Sequence, residues 1–273
     1  VAVGHFTSVN GVNRNRIARL NSDGSVDDTF NPGGGANNPI LDMLVQPDGR
    51  TVIVGDFSGF NGVARKGVAR INSDGTLDET FGLGDGPDFS VHAVVMQRDG
   101  RIIIAGDFKT YDEVECDGIV RLNTDGSIDS SFNSSLGFDD SVRCIAIQED
   151  GRIVIGGFFG HVGNVARGRI ARLNPDGSLD GDFAVGAGAD GSIYSLAIQS
   201  DGKILGGGSF SQFNGLSRNG LVRLTESGGI DPTVNFGTGA NGSVLDIGIR
   251  PNFKILIAGG FTIFDGQERD HFA

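Results

Sequence analysis

Five arginines, Arg19, Arg70, Arg121, Arg172 and Arg223, follow one another at steps of 51 residues, and the rest of the chain keeps that step. It links Asp27, Asp78, Asp129, Asp180 and Asp231, the phenylalanines from Phe6 to Phe261, and the glycines two places before them. It also links Ile40, Val91, Val142, Ile193 and Val244, with no insertion or deletion in the register. A chain that repeats one unit this regularly folds as a supersecondary element packed on copies of itself. The repeat therefore governs every other inference.

Each unit reads as four short strands, and no stretch of useful length has helical period. In one copy the strands are residues 40–45, 51–57, 68–71 and 76–81. The turn between the last two strands accounts for the recurring string RIARLNPDGSLDGDF at 169–183. In Asn174-Pro175-Asp176-Gly177, proline pre-sets the first turning position and glycine takes the left-handed position that closes a bulged hairpin. This loop pairs Asn174 with Ser178, Leu173 with Leu179 and Arg172 with Asp180. The leucines, joined by Phe183, share one face, and the Arg and Asp stand on the other.

The first and second strands are apolar on both faces, as in Ile102-Ile103-Ile104-Ala105, so each sheet needs a neighbour on either side. Four-stranded units with that requirement build a β-propeller, in which the repeats are radial blades. The expected fold class is all-β, with residues 1–273 forming a single propeller domain or a fragment of one. Five periods use 255 of the 273 residues, so residues 1–18 and 256–273 are register-equivalent and would compete for one slot in a five-bladed ring. A larger ring is expected, with seven blades preferred. The chain begins at Val1, without Met and in mid-strand, and is expected to be part of a longer protein.

The unit QPDGRxxxxGxF…NGxxRxxxARLNxDGSxDxxF resembles the delta-60 repeat, a β-propeller repeat of bacterial extracellular and phage-associated proteins. The likeness covers the whole chain in register, with the first and last copies incomplete. It implies a propeller outside the cytoplasm or on a virion, and supplies no catalytic residues. Local departures are Cys116 in place of the loop Arg, Glu226-Ser227-Gly228 in the fifth hairpin turn, and Asn252-Phe253 where Asp-Gly is expected.

Composition narrows the function classes. A net charge of −12 argues against nucleic acid as a partner, and no apolar run is long enough to span a bilayer. Trp is absent, which leaves few platforms for ring stacking. Cys116 and Cys144 permit one disulfide or none and read as two unrelated thiols. His5, His92, His161 and His271 fall at different repeat positions and make no paired metal-ligand motif. Gly-rich strings such as Gly156-Gly157-Phe158-Phe159-Gly160 open no helix, so phosphate cradling is not expected. No catalytic residue and no cofactor is expected. Calcium is the one ion considered, at turns such as Asn21-Ser22-Asp23-Gly24-Ser25-Val26-Asp27, where hairpin geometry already accounts for each residue.

The Arg19/Asp27 type of pair reads as a structural cross-strand contact that stabilises modestly if exposed. Arg14, Arg65, Arg167, Arg218 and Arg269 read as donors to backbone carbonyls between blades. Two sets remain as candidate contact residues. Asn37, Asp88, Asp139, Asp190 and Asn241 lie on one rim, where an Asx turn bonding the backbone two residues on is the simple reading, and a rim binding glycan, cation or protein the functional one. The position before the anchoring Phe varies as His5, Asp56, Asp107, Phe158, Ser209 and Gly260. The leading expectation is a non-enzymatic structural or binding module of a larger surface or virion protein, contacting protein or surface glycan. The rival is a carbohydrate-active hydrolase or lyase using Asp56 and Asp107, which would have to lie about 5–9 Å apart.

Overall fold

All 273 residues are described by a computed structural model, and every regular element in it is a strand. The turn chemistry is as the sequence requires. Gly177 has φ of 88° and donates to the Asn174 carbonyl, Asn174 N donates to Ser178 O, Leu173 bridges Leu179, and Asp180 N donates to Arg172 O. The fifth hairpin keeps this geometry through Thr225, Gly228 and Gly229 despite its altered sequence.

Each full repeat is an antiparallel sheet of three strands. The first strands are Ile40–Val45, Val91–Met96, Val142–Ile147, Ile193–Ile198 and Val244–Ile249. Each pairs with a middle strand such as Ile102–Gly106, which in the first four pairs in turn with a third such as Ile119–Leu122; the sheet of Val244–Ile249 has two strands. The expected fourth strand shrinks to single bridges such as Ile71 to Leu77 and Leu122 to Ile128. Its Asp explains the shortening. In the second copy Asp78 Oδ1 accepts the amide and hydroxyl of Thr80, and Phe81 N donates to Asp78 O, turning the chain out of the ladder.

Two compact units, Val1–Ser135 and Leu136–Ala273, divide the chain. Within each, the apolar clusters straddle consecutive repeats. In the first, Val52, Val54, Val68 and Phe81 pack with Val91, Val94, Ile102 and Ile104 of the next repeat, while Ile53 and Ala69 turn the opposite way toward Ile17 and Phe30. In the second, Cys144, Val154 and Ile170 pack with Ile193, Ile204 and Val222, and Leu205 and Leu221 pack with Val244 and Ile257. The period of two along a strand sends alternate side chains to the two neighbouring sheets. Every residue of Ile102–Gly106 is buried, and each such Ile or Val contributes about 1.5–3 kcal/mol.

The first strands are less completely covered than the middle strands. Val91–Met96 is only partly buried, and Val244–Ile249 has three exposed residues. Each also carries a β-bulge: the register passes from Ile40 to Asp42, Val91 to Ala93, Val142 to Cys144, Ile193 to Ser195 and Val244 to Asp246. The residues that the register skips are Leu41, His92, Arg143, Tyr194 and Leu245. The recurrent glycine opposite explains how the bulge closes. A Cβ on Gly106 would run into the Ser90 carbonyl, and one on Gly157 into that of Ser141.

Candidate functional site

Most of the repeated charge is committed to the frame. Arg70, Arg121 and Arg172 are buried, and their Nε atoms reach Asp78, Asp129 and Asp180 at 2.7, 2.8 and 2.7 Å. The guanidinium of Arg172 lies 4.7 Å from the centre of the Phe183 ring and donates to Gln148 and to the Glu226 carbonyl in the next repeat's turn. Arg70 reaches the Thr124 carbonyl, and Arg19 that of Ser73, in the same way. The Arg70 and Arg172 pairs are therefore interior clamps between repeats, and the Arg19 pair makes the same contact while partly exposed. The arginines after the Asn-Gly loop differ from expectation: Arg14, Arg65, Arg167, Arg218 and Arg269 each donate to the carbonyl of the residue just before them, within their own hairpin.

The rim residues form long-range anchors, not the local Asx turns of the simple reading. Asn37 Oδ1 accepts the amides of Ser58 and Gly59, and Asp88 Oδ1 those of Lys109 and Thr110. Asp139 takes Gly160 and His161, Asp190 takes Ser211 and Gln212, and Asn241 takes Thr262 and Ile263. One side-chain oxygen thus pins a small hairpin 21 and 22 residues away. For Asp139, burial opposes the charge, but the His161 amide, the His161 ring and the Gly160 amide outweigh it and hold the carboxyl below its usual range. Asp190 is lowered likewise: burial works against it, and the Gln212 amide with the Ser211 hydroxyl and amide prevails. The turn aspartates are also engaged, as where Asp23 Oδ1 accepts from the amide and hydroxyl of Ser25.

The two candidate sets meet in grooves between neighbouring repeats. In the first unit Asp56, Lys66, Asp88 and Ser90 line a groove of about 260 Å³ floored by Phe57. In the second, Asp190, Ser209, Ser211, Asn219, Asn241 and Ser243 line the register-equivalent groove, of about 330 Å³, over Phe210. Asn37 lines a third, of about 500 Å³, with Asn15 and Asn61. His5 is exposed, and its carbonyl accepts from Arg16. Asp56 and Asp88, not Asp56 and Asp107, are the carboxylates that share a groove.

The bulge aims its residue at the variable position before the Phe. His92 Nε2 lies 2.8 Å from Asp107 Oδ2, with the two side chains 11% and 31% exposed. Arg143 stacks on Phe158 at 4.4 Å, and Phe158 meets Tyr194 edge-on at 5.9 Å and 83°. Ser209 Oγ donates to Tyr194 Oη at 3.3 Å. Bulges commonly re-aim a side chain at a functional position. His92, Arg143 and Tyr194 were not among the sequence candidates. The available signal was a single strand position reading Leu, His, Arg, Tyr and Leu from repeat to repeat, next to an anchor that is always Ile or Val.

Similarity to solved structures extends over most of the chain at low identity. A protein of unknown function from Bacteroides caccae is 17% identical, with 94% of this chain and 81% of that one covered and a TM-score of 0.51. A gluconolactonase from Xanthomonas campestris is 18% identical, over 88% of this chain and 74% of that one, at 0.56. PorZ, a surface component of the type-IX secretion system of Porphyromonas gingivalis, is 15% identical over 90% of this chain but only 35% of its own, at 0.50. At such identities the likeness is one of fold. Among curated proteins no sequence matches. The family described as "Domain of unknown function (DUF5122) beta-propeller" matches residues 1–30, 46–81, 97–132, 148–183 and 199–233. These segments carry the paired hairpins and Arg–Asp clamps, and the chain belongs to this DUF5122 β-propeller family.

Proposed function

We propose that the chain is a non-enzymatic binding module of a larger bacterial surface or virion protein, built from repeats of the delta-60 type. One observation carries this reading. The polar groups that recur in every repeat are bonded into the frame, whereas the side chains that differ gather where the bulge faces the strand end. A rigid scaffold with a variable face suits recognition, since little ordering cost attends binding. Protein and surface glycan are the partner classes. The surface setting is supported by the occurrence of the same fold in PorZ.

The test compares face and frame. Phe158→Ala and Tyr194→Ala should lower binding to a glycan panel or to purified cell-envelope fractions by about tenfold or more at unchanged melting temperature. Equal binding by these variants would remove the bulge face from consideration. Asp56 and Asp88, as two carboxylates in one groove, support a hydrolytic second reading. Turnover of a polysaccharide or lactone panel that disappears in both Asp56→Asn and Asp88→Asn would establish that reading over the first.

A further inference from the structure

The grooves of the two units are register-equivalent but chemically different. Where the first unit has Asp56, Lys66, Asp88 and Phe89, the second has Ser209, Asn219, Asn241 and Gly242. The second groove is thus lined by hydroxyls and amides, with Asp190 its one charged side chain and no basic group. Three of its side chains are held in place by bonds to the frame. Asp190 Oδ2 accepts from the Ser211 hydroxyl at 2.7 Å, Asn241 Nδ2 donates to Thr262 Oγ1 at 3.0 Å, and Asn219 Nδ2 donates to the Thr238 carbonyl at 2.8 Å, which turns the Asn219 side-chain oxygen to the other side of the amide. Ser209 belongs both to this groove and to the aromatic corner, through its bond to Tyr194, whose ring meets Phe158.

We propose that this groove and the adjoining Tyr194 ring bind a neutral glycan of one or two sugar rings. The proposal deepens the binding-module reading and rests on it. An anion would meet Asp190 with no cation in the lining, and an apolar ligand would strip water from at least five polar side chains without replacing its bonds. A neutral sugar supplies several hydroxyls to Ser209, Asn219 and Ser243, which the rim anchors do not use, and a C–H face to the half-buried tyrosine ring. The volume, about 330 Å³, falls at the small end of the range for small-molecule sites.

The chain provides its own reporter. It has no Trp and two tyrosines, of which Tyr111 is 2% exposed, so ligand-dependent changes in intrinsic emission report on Tyr194. Titration of the whole chain with neutral disaccharides of hexose and N-acetylhexosamine should change that emission saturably, and saturation-transfer NMR should show the sugar protons in contact. Ser209→Ala and Asn219→Ala should each weaken binding by about fivefold or more, Tyr194→Ala should abolish the NMR transfer, and Phe253→Ala, an exposed side chain outside the groove lining, should change nothing. Amide exchange at Ser211 and Gln212 verifies that each variant keeps its frame. The proposal is overturned if no neutral disaccharide binds below about 50 mM, if uronate or sulfated disaccharides bind more tightly, or if both groove variants bind as the parent does. A protein partner that binds through Phe158 in the absence of any sugar signal would overturn the glycan assignment while leaving the binding-module reading in place.

Discussion

Replacing Asp180 by alanine tests whether the clamps hold the repeats together. Asp180 is 5% exposed, and its Oδ2 takes the Arg172 Nε hydrogen at 2.7 Å, with Arg152 at 3.6 Å. Removing it leaves the Arg172 guanidinium, itself 3% exposed, without its carboxylate. Breaking one side of a buried pair costs about 3–5 kcal/mol. The Phe183 ring, Gln148 and the Glu226 carbonyl still face the cation, so the lower end, about 3 kcal/mol, is expected. Urea unfolding followed by circular dichroism would measure it. The first repeat supplies the control, because Arg19 and Asp27 side chains are 30% and 18% exposed at the same 2.7 Å separation. Asp27→Ala should cost clearly less. The double replacement Arg172→Met with Asp180→Leu should recover most of the loss, since no charge is then left buried. Equal losses for Asp27→Ala and Asp180→Ala would refute the argument, because burial would then not set the value.

Acid should unfold the chain through these same groups. Asp27 is lowered to about 2 by the Thr29 hydroxyl and amide and by Arg19, and Asp78, Asp129, Asp180 and Asp231 are lowered too, so their stabilisation is complete above the unfolded carboxylate range, near pH 4, and is lost as pH falls toward 2; melting temperature against pH checks the window. Phe253 occupies a left-handed turn position, φ 62°, where the other repeats have glycine, and its side chain is 65% exposed, so Phe253→Gly should raise stability by about 0.5–1 kcal/mol in the same urea assay. Asp139→Ala should speed hydrogen exchange at the Gly160 and His161 amides while leaving the distant Ile204 amide protected. Cys116, pushed up to about 12 by burial, and Cys144, raised further by burial, should resist a thiol reagent at pH 8 in the native protein and react fully in urea.

The turns and the pairing register were legible because they are local. Asn174-Pro175-Asp176-Gly177 specifies a hairpin within four residues, and that hairpin dictates which side chains oppose each other. The rim was less legible for the opposite reason. An Asn or Asp before a strand suggests an Asx turn, but the amides that Asn37 and Asp190 accept lie 21 and 22 residues away, and only the folded sheet brings them there. The fourth strand looked complete in sequence because Leu77 and Phe81 are spaced as strand residues of one face. A carboxylate at Asp78 capturing the Thr80 amide ended it after one bridge.

The bulge ties these observations to the proposed binding face. Alternation predicts that a polar residue at position 92 or 143 would be as buried as its neighbours, and a charged side chain there would be costly. The extra residue removes that cost by placing His92 and Arg143 outside the strand register and only partly buried, beside Asp107 and Phe158. The bulge in turn depends on the glycine of the middle strand, because any side chain at Gly106 or Gly157 would meet the Ser90 or Ser141 carbonyl. The invariant part of the unit thereby creates the position that is free to vary. Substitution at His92, Arg143 or Tyr194 changes the chemistry presented without touching the clamps or the ladder, whereas substitution at the opposing glycine disturbs both strands. A repeat constructed this way can diversify its contacts blade by blade while every blade keeps the same frame.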